Sequence, residues 1–282
     1  VKGIDQIATK KYSGFFAWPT VVMAYALGLG FVACLVLTYL GLFPLWLCSI
    51  INFILCYLAF TPLHEAVHNN VRGVFRKWQW VENSVGHITA TMLLGPFPCF
   101  SFLHLAHHAH TNVAHEDPDT WVAGKTPWAV FWRCMSIVPH YYHYFFKSKK
   151  RVARRLFWPT MLAMGLMIAV LLVASFMTSF SLMFFGWVIP AIFANAALAF
   201  VLDYVPHVPH DSVLRYKNTN IVFGRIIYLL SMGHSYHVIH HLWPRIPFYR
   251  YKQAFAEYRT VIEKEGTPIF SSFSQLLNAA KR

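Results

Sequence analysis

Nine histidines fall in a 2 + 3 + 1 + 3 order along the chain: His64 and His68, then His104, His107 and His108, then His207, then His237, His240 and His241. The pair stands four residues apart in His64-Glu65-Ala66-Val67-His68, and each triplet is spaced H-x-x-H-H. On a helix, residues three and four apart share a face, so all imidazoles of one box are expected to aim the same way. A single buried histidine is readily satisfied within a core, whereas nine in register have no packing rationale. Neutral imidazole suits iron, zinc, copper and nickel, which leaves the metal open. The number narrows it, because nine donors exceed what one tetrahedral zinc can use and suit two ions of higher coordination number with open positions. Ions held by neutral ligands keep a high positive charge, a setting suited to binding and reducing dioxygen. The set therefore reads as a di-iron centre that uses O2 to oxidise hydrocarbon C–H bonds.

One rival motif overlaps the first box. His64-Glu65-x-x-His68 is also the H-E-x-x-H pattern of zinc proteases, in which the glutamate is general base. That reading makes the chain an intramembrane metalloprotease and leaves at least six aligned histidines without a role. With two ions instead, Glu65 becomes a residue that orients a ligand imidazole through its free N–H. Asp117 and Asp119, in Glu116-Asp117-Pro118-Asp119, are candidates for the same task or for a solvated turn. His110, two residues past the middle triplet, points away on a regular helix. His234, three before His237, is open to ligation or a supporting role, and His87 and His115 read as ordinary residues.

The elements that must position these residues are membrane spans. The chain has 282 residues, of which 57% are hydrophobic and only 12% charged. Four apolar runs, 19–40, 43–62, 158–177 and 180–202, each reach the roughly 20 residues that cross a bilayer as helix. The short uncharged turns Gly41-Leu42 and Thr178-Ser179 pair them into two antiparallel hairpins. The basic residues Lys10, Lys11, Arg72, Arg76, Lys77, Lys147, Lys149, Lys150, Arg151, Arg154 and Arg155 all lie at the opposite ends. By the positive-inside rule both termini and the 63–157 segment are cytoplasmic, in the inner membrane if the source is bacterial. All nine histidines follow that sidedness. The expected architecture is one all-α integral membrane domain over 1–282, with four transmembrane helices under a cytosolic histidine-rich helical cap.

Other segments fill in this picture. Ile88 to Leu103 is apolar but interrupted at Gly95-Pro96-Phe97-Pro98, too broken for a fifth span. Trp128 to Phe146 and Ile221 to Met232 read as interfacial helices, where aromatic rings suit the headgroup level. The stretch from Lys252 onward reads as an amphipathic surface helix and tail. No cleavable signal peptide is evident at the N-terminus, so the first span is expected to be retained. The five cysteines form neither a disulfide framework nor a zinc pattern. The net charge of +13 follows the positive-inside rule and contact with anionic headgroups, and also suits docking of an acidic electron carrier. No nucleic-acid motif is present. A metal transporter or sensor would instead place ligands at mid-membrane along a pathway.

His64-Glu-Ala-Val-His68, His104-Leu-Ala-His107-His108-Ala-His110-Thr-Asn and His237-Val-Ile-His240-His241-Leu-Trp-Pro resemble the three histidine boxes of the membrane fatty acid desaturase and hydroxylase superfamily. The resemblance covers roughly residues 20–260, with the boxes in order and on one side of the spans. It implies a four-span fold with a cytosolic cap, two non-haem irons, and consumption of O2 and two external electrons. In that superfamily an isolated histidine between the second and third boxes often completes the set. His207, in Asp203-Tyr204-Val205-Pro206-His207, fits that place better than His210. Asp203 stands where some members have asparagine, and is a candidate to hold a metal-bound water or to cap a helix.

The middle box running into Asp117-Pro118-Asp119, and the third running into Trp243-Pro244, look nearest to the carotenoid-hydroxylase-related branch. The first box has His-Glu where desaturases usually have His-Asp. The leading expectation is hydroxylation of a long apolar lipid such as β-carotene. Acyl-lipid desaturation is the alternative, followed by monooxygenation of alkanes or other hydrocarbons. With no nucleotide fingerprint, cysteine cluster or fused haem domain, electrons are expected from ferredoxin or a similar carrier with its reductase.

Overall fold

The computed structural model describes residues 2–279 and is almost entirely helical. A short α1 (Lys2–Tyr12) precedes α2 (Trp18–Tyr39) and α3 (Leu45–Val67). Two further long helices follow, α8 (Arg151–Met177) and α9 (Phe180–Tyr204). These four long helices are sufficiently long and apolar to cross a membrane. Pro19 opens α2 at a position where its missing N–H costs nothing, and Gly41, at φ 75°, lets the chain turn back.

Two span boundaries differ from the sequence expectation for identifiable reasons. Pro62 lies inside α3 rather than ending it, so the last turn carries His64 and Glu65 on continuous helix. A single proline removes one backbone donor, which long packed helices tolerate. At the other boundary, α8 begins seven residues earlier than hydrophobicity suggested, because Arg151, Arg154 and Arg155 continue the helix beyond its apolar part. Its window is only 6% buried, so α8 turns most of its surface outward.

Helix α9 contains two π turns, Phe184–Val188 and Ala199–Tyr204. In the first, the Gly186 carbonyl accepts a 2.7 Å bond from the amide of buried Asn52 on α3. A Cβ at Gly186 would come within 2.9 Å of the Leu35 side-chain end and 3.3 Å of Cys48 Sγ, so glycine lets α9 approach α2 and α3 without displacing them. The second π turn carries Asp203 and delivers the chain to His207.

Between α3 and α8 lie α4 (Gln79–Met92) and α5 (Phe97–His110), bent by 95° at the Leu93–Pro96 break. Helix α4 starts beside the end of α3, and α5 returns His104 to within 2.8 Å of His68. The pair thus leaves and re-enters the same end of the bundle. At the bend Phe97 lies so close to Gly86 that a Cβ there would sit 2.5 Å from the ring.

The single interfacial helix expected over Trp128–Phe146 is two, α6 (Pro127–Met135) and α7 (Ile137–Lys147), broken at Ser136. The Ile221–Met232 helix is a second correction. Ile221–Val222 form β1, paired in parallel with β2 (Ile269–Phe270), and only α10 (Arg225–Leu230) is helical. Gly224, at φ 140°, separates strand from helix. The third box lies on α11 (His237–Leu242). Helix α12 (Tyr251–Lys264) is amphipathic as expected, but its apolar face is core. Tyr251, Phe255 and Ile262 pack in one buried cluster with Val238, Ile239 and Trp243, bracing the helix that carries the box. The short α13 (Phe273–Ala279) closes the chain.

Candidate dimetal centre

All nine histidines meet in one cluster. They divide into His64, His68, His104, His108 and His240 on one side, and His107, His207, His237 and His241 on the other, each group with its ligand atoms within 4.8 Å of one another. Seven are buried, and His108 and His241 are half-buried.

The expectation that each triplet aims all its rings one way is corrected by this division. On α5, His104 and His108 serve the first group while His107 serves the second, and on α11 His240 parts from His237 and His241. The helix explains it. At 3.6 residues per turn, positions i and i+4 lie about 40° apart, whereas i+3 and i+4 lie about 100° apart. One box therefore straddles two neighbouring positions, and α5 and α11 together clamp both.

The rings present Nε2 to the centre. His108 and His240 approach at 2.7 Å, His68 and His104 at 2.8 Å, and His64 and His240 at 3.0 Å. In the second group His237 and His241 approach at 3.1 Å, and His107 and His241 at 3.2 Å. Several Nδ1 atoms have partners behind the ring. His107 Nδ1 donates to Asp117 Oδ1 at 2.9 Å, with Asp119 Oδ2 at 3.3 Å, and His207 Nδ1 donates to the Asn218 carbonyl at 3.2 Å. His240 Nδ1 lies 3.1 Å from the Tyr251 hydroxyl, and His241 Nδ1 lies 3.3 Å from that of Thr111. With the proton held on Nδ1, the Nε2 lone pairs face one another across a buried space. That arrangement is unfavourable alone and is what a pair of cations resolves, so the donor set fits two metal ions.

Electrostatics set His107 apart from the other rings. Burial and the neighbouring imidazoles push His104, His108, His207, His237, His240 and His241 well below the usual histidine range, so these rings are neutral donors. Burial likewise pushes His68 down to about 3. At His107 burial works in the same direction, but the Asp117 and Asp119 carboxylates outweigh it and raise the pKa to about 9.

The supporting residues named from sequence take distinct places. Asp117 reaches His107 and also accepts from the backbone N–H groups of Asn112 and Asp119. Glu65 is fully buried, with Oε1 3.8 Å from His64 Nδ1, beyond hydrogen-bond reach. Its approach to the ring is on the Nδ1 side. Asp203 meets the Tyr141 hydroxyl rather than a histidine. His234 joins neither group and donates Nδ1 to the Ser231 carbonyl at 3.0 Å. His210 is also outside both groups, while His110 pairs with Glu116 at 3.0 Å near the surface.

Sequence reasoning missed Tyr251, Thr111, Asn218, Asn112 and Tyr141. Asn112 had a local signal, since asparagine is among the residues that adopt positive φ, here 63°. Its amide bonds the Ser212 and Asn218 carbonyls, each at 2.8 Å, tying the turn after the middle box to the loop that orients His207. Tyr251 and Tyr141 carry no such signal, because only packing brings them to the site.

An apolar cavity runs from the histidines between α3, α5 and α9. Phe60, Leu63, Phe100, Leu103, Leu198 and Leu202 form much of its wall, and His64, His104, His107 and His237 close one end. Its wall is apolar and its inner end is imidazole, so an apolar group that enters it meets the histidine cluster there.

Comparison with known proteins agrees with this anatomy. The fatty acid desaturase family model matches residues 40–273, and the chain belongs to that family of oxidoreductases. An sn-1 oleoyl-lipid 12-desaturase of Synechocystis sp. is 35% identical over 115 residues, 40% of this chain and 29% of that relative. Two fatty acid conjugases of Calendula officinalis, FAC2 B and FAC2 A, are 24% and 25% identical, each over 74% of this chain and 67% of the relative. Carotenoid hydroxylation, the leading expectation from the shading of the boxes, gains no support from these relatives. They favour the acyl-lipid alternative.

Proposed function

We propose that the protein is an O2-dependent acyl-lipid desaturase with two resident irons. The observation that carries this reading is the division of nine histidines into two adjoining groups at the closed end of an apolar cavity. His64, His68, His104, His108 and His240 would hold one iron, and His107, His207, His237 and His241 the other. Bound iron would supply reduction of dioxygen and removal of hydrogen from an unactivated C–H bond. The names of the relatives, an oleoyl-lipid desaturase and two fatty acid conjugases, support an acyl chain as substrate.

The chain's own residues bind, orient and exclude. The cavity wall aligns the acyl chain and keeps water from it, and alignment decides which carbon pair reacts. Asp117, the Asn218 carbonyl and Tyr251 hold the tautomers that keep Nε2 pointed inward. The reaction takes two electrons and two protons from outside while dioxygen becomes two waters. Those electrons come from a separate acidic carrier such as ferredoxin, attracted by a chain of net charge +13. The histidine end lies on the cytoplasmic side, as the basic residues indicate.

Expression in cells making saturated and monounsaturated acyl lipids, and separately in cells making β-carotene, tests the reading by mass spectrometry of the lipid extract. The expected result is a new double bond in ester-linked acyl chains that disappears with His240→Ala. Hydroxylated carotenoid with unchanged acyl chains would overturn it.

A further inference from the structure

The cavity that ends at the histidines is apolar apart from a few side chains. Asn195 and Tyr142 direct their donors to backbone carbonyls, Asn195 to Leu93 and Ala191 and Tyr142 to Leu94. Tyr141 does something different. Its hydroxyl lies 2.7 Å from Asp119 Oδ1 and 3.1 Å from Asp203 Oδ2, so one proton serves two carboxylates. The second oxygen of Asp119 is 3.3 Å from His107 Nδ1. Three separate elements contribute: α7 supplies Tyr141, the 118–122 turn supplies Asp119, and the π turn of α9 supplies Asp203.

We infer that Tyr141 is a positioning residue for the four-histidine group, acting through Asp119 on His107 and holding Asp203 apart from it. The inference rests on the dimetal reading above. With the hydroxyl removed, Asp119 Oδ1 and Asp203 Oδ2 lose the group they share, and an unsatisfied buried acceptor is costly. Asp119 then moves from His107, and the imidazole loses part of what fixes its orientation. Partners that bond a ligand directly contribute about 10–100-fold to metal affinity, and a hydroxyl one bond further out, worth about 1 kcal/mol, corresponds to roughly fivefold. Tyr141 makes no hydrogen bond to the five-histidine group, which keeps its own supports. The two ions are therefore separable by one hydroxyl.

The test uses detergent-solubilised full-length protein loaded anaerobically with Co(II) and titrated with a chelator, reading metal per chain and the visible spectrum. Wild type is expected to hold two Co(II). Tyr141→Phe should release one of them at roughly fivefold lower chelator activity and keep the other as in wild type. Tyr142→Phe, which alters the same cavity wall without touching a carboxylate, should release both as wild type does. Adding Asp203→Asn to Tyr141→Phe places an amide donor opposite Asp119 and should restore retention of the weaker ion. Identical release from wild type and Tyr141→Phe overturns the inference, as does equal weakening of both ions, the same loss in Tyr142→Phe, or a double variant that fails to recover. A wild-type protein holding fewer than two ions overturns the dimetal reading and this inference with it.

Discussion

The five-histidine and four-histidine groups share one ligand type and differ in what stands behind the ligands. Behind the first, His240 meets the neutral Tyr251 hydroxyl, and the Glu65 carboxylate stops 3.8 Å short of His64. Behind the second, His107 bonds Asp117 directly, with Asp119 alongside. A carboxylate behind an imidazole makes it a stronger donor and fixes its ring, so two ions in these similar histidine cages would be held with different strength and charge. The positional source differs as well. The first group rests on helices α3, α5 and α11, whereas the second takes His207 from the loop after α9.

The sharpest break of the comparison removes a ligand. His240→Ala strips the five-histidine group of the ring that meets both His64 and His108, and activity should fall by more than the ~10–100-fold typical of outer partners, with loss of bound iron. His143→Ala, on the exposed face of α7, should leave both near normal. Equal effects at the two positions, by turnover and elemental analysis, would show that the cluster is not the metal site.

Next in size is Asp117→Asn, expected to weaken metal retention at the four-histidine group by about 10–100-fold while sparing the other. Tyr251→Phe probes the opposite side. It removes one hydrogen bond worth about 1 kcal/mol, roughly a fivefold loss confined to the five-histidine group. Should both variants weaken the same ion in stepwise chelation, the division into two groups is wrong.

The smallest effect is the pH dependence of the metal-free protein, read by thermal unfolding. His68, pushed from 6.5 down to about 3, contributes stability that is present above 6.5 and lost as pH falls towards 3. His107, raised from 6.5 to about 9, contributes stability that is present below 6.5 and lost as pH rises through 9. Asp117→Asn should flatten the alkaline limb alone. An unchanged alkaline limb would mean that Asp117 does not sustain a charge on His107.

Much of the molecule was legible because its signals are local. An apolar run of about 20 residues has few fates other than a span, and the histidine spacings register directly on a helical face. The misread segments are those where a break is small. Ser136 divides α6 from α7 without a proline or glycine at that position, and Ile221–Val222 pairs with a strand 48 residues further on, as the register Ile221 to Ile269 shows. Apolar composition alone does not distinguish such a strand from a helix.

The sequence by itself determined the inventory of box histidines, the four long apolar helices and the collection of the boxes at one end, because each depends on residue type and spacing within a few turns. Tertiary structure alone decided which histidine joins which group. It also decided that Tyr251, Thr111, Asn218 and the Tyr141 hydroxyl stand around the rings. Those contacts join elements far apart in the chain, and their geometry exists only once α5, α11 and the end of α9 have packed together.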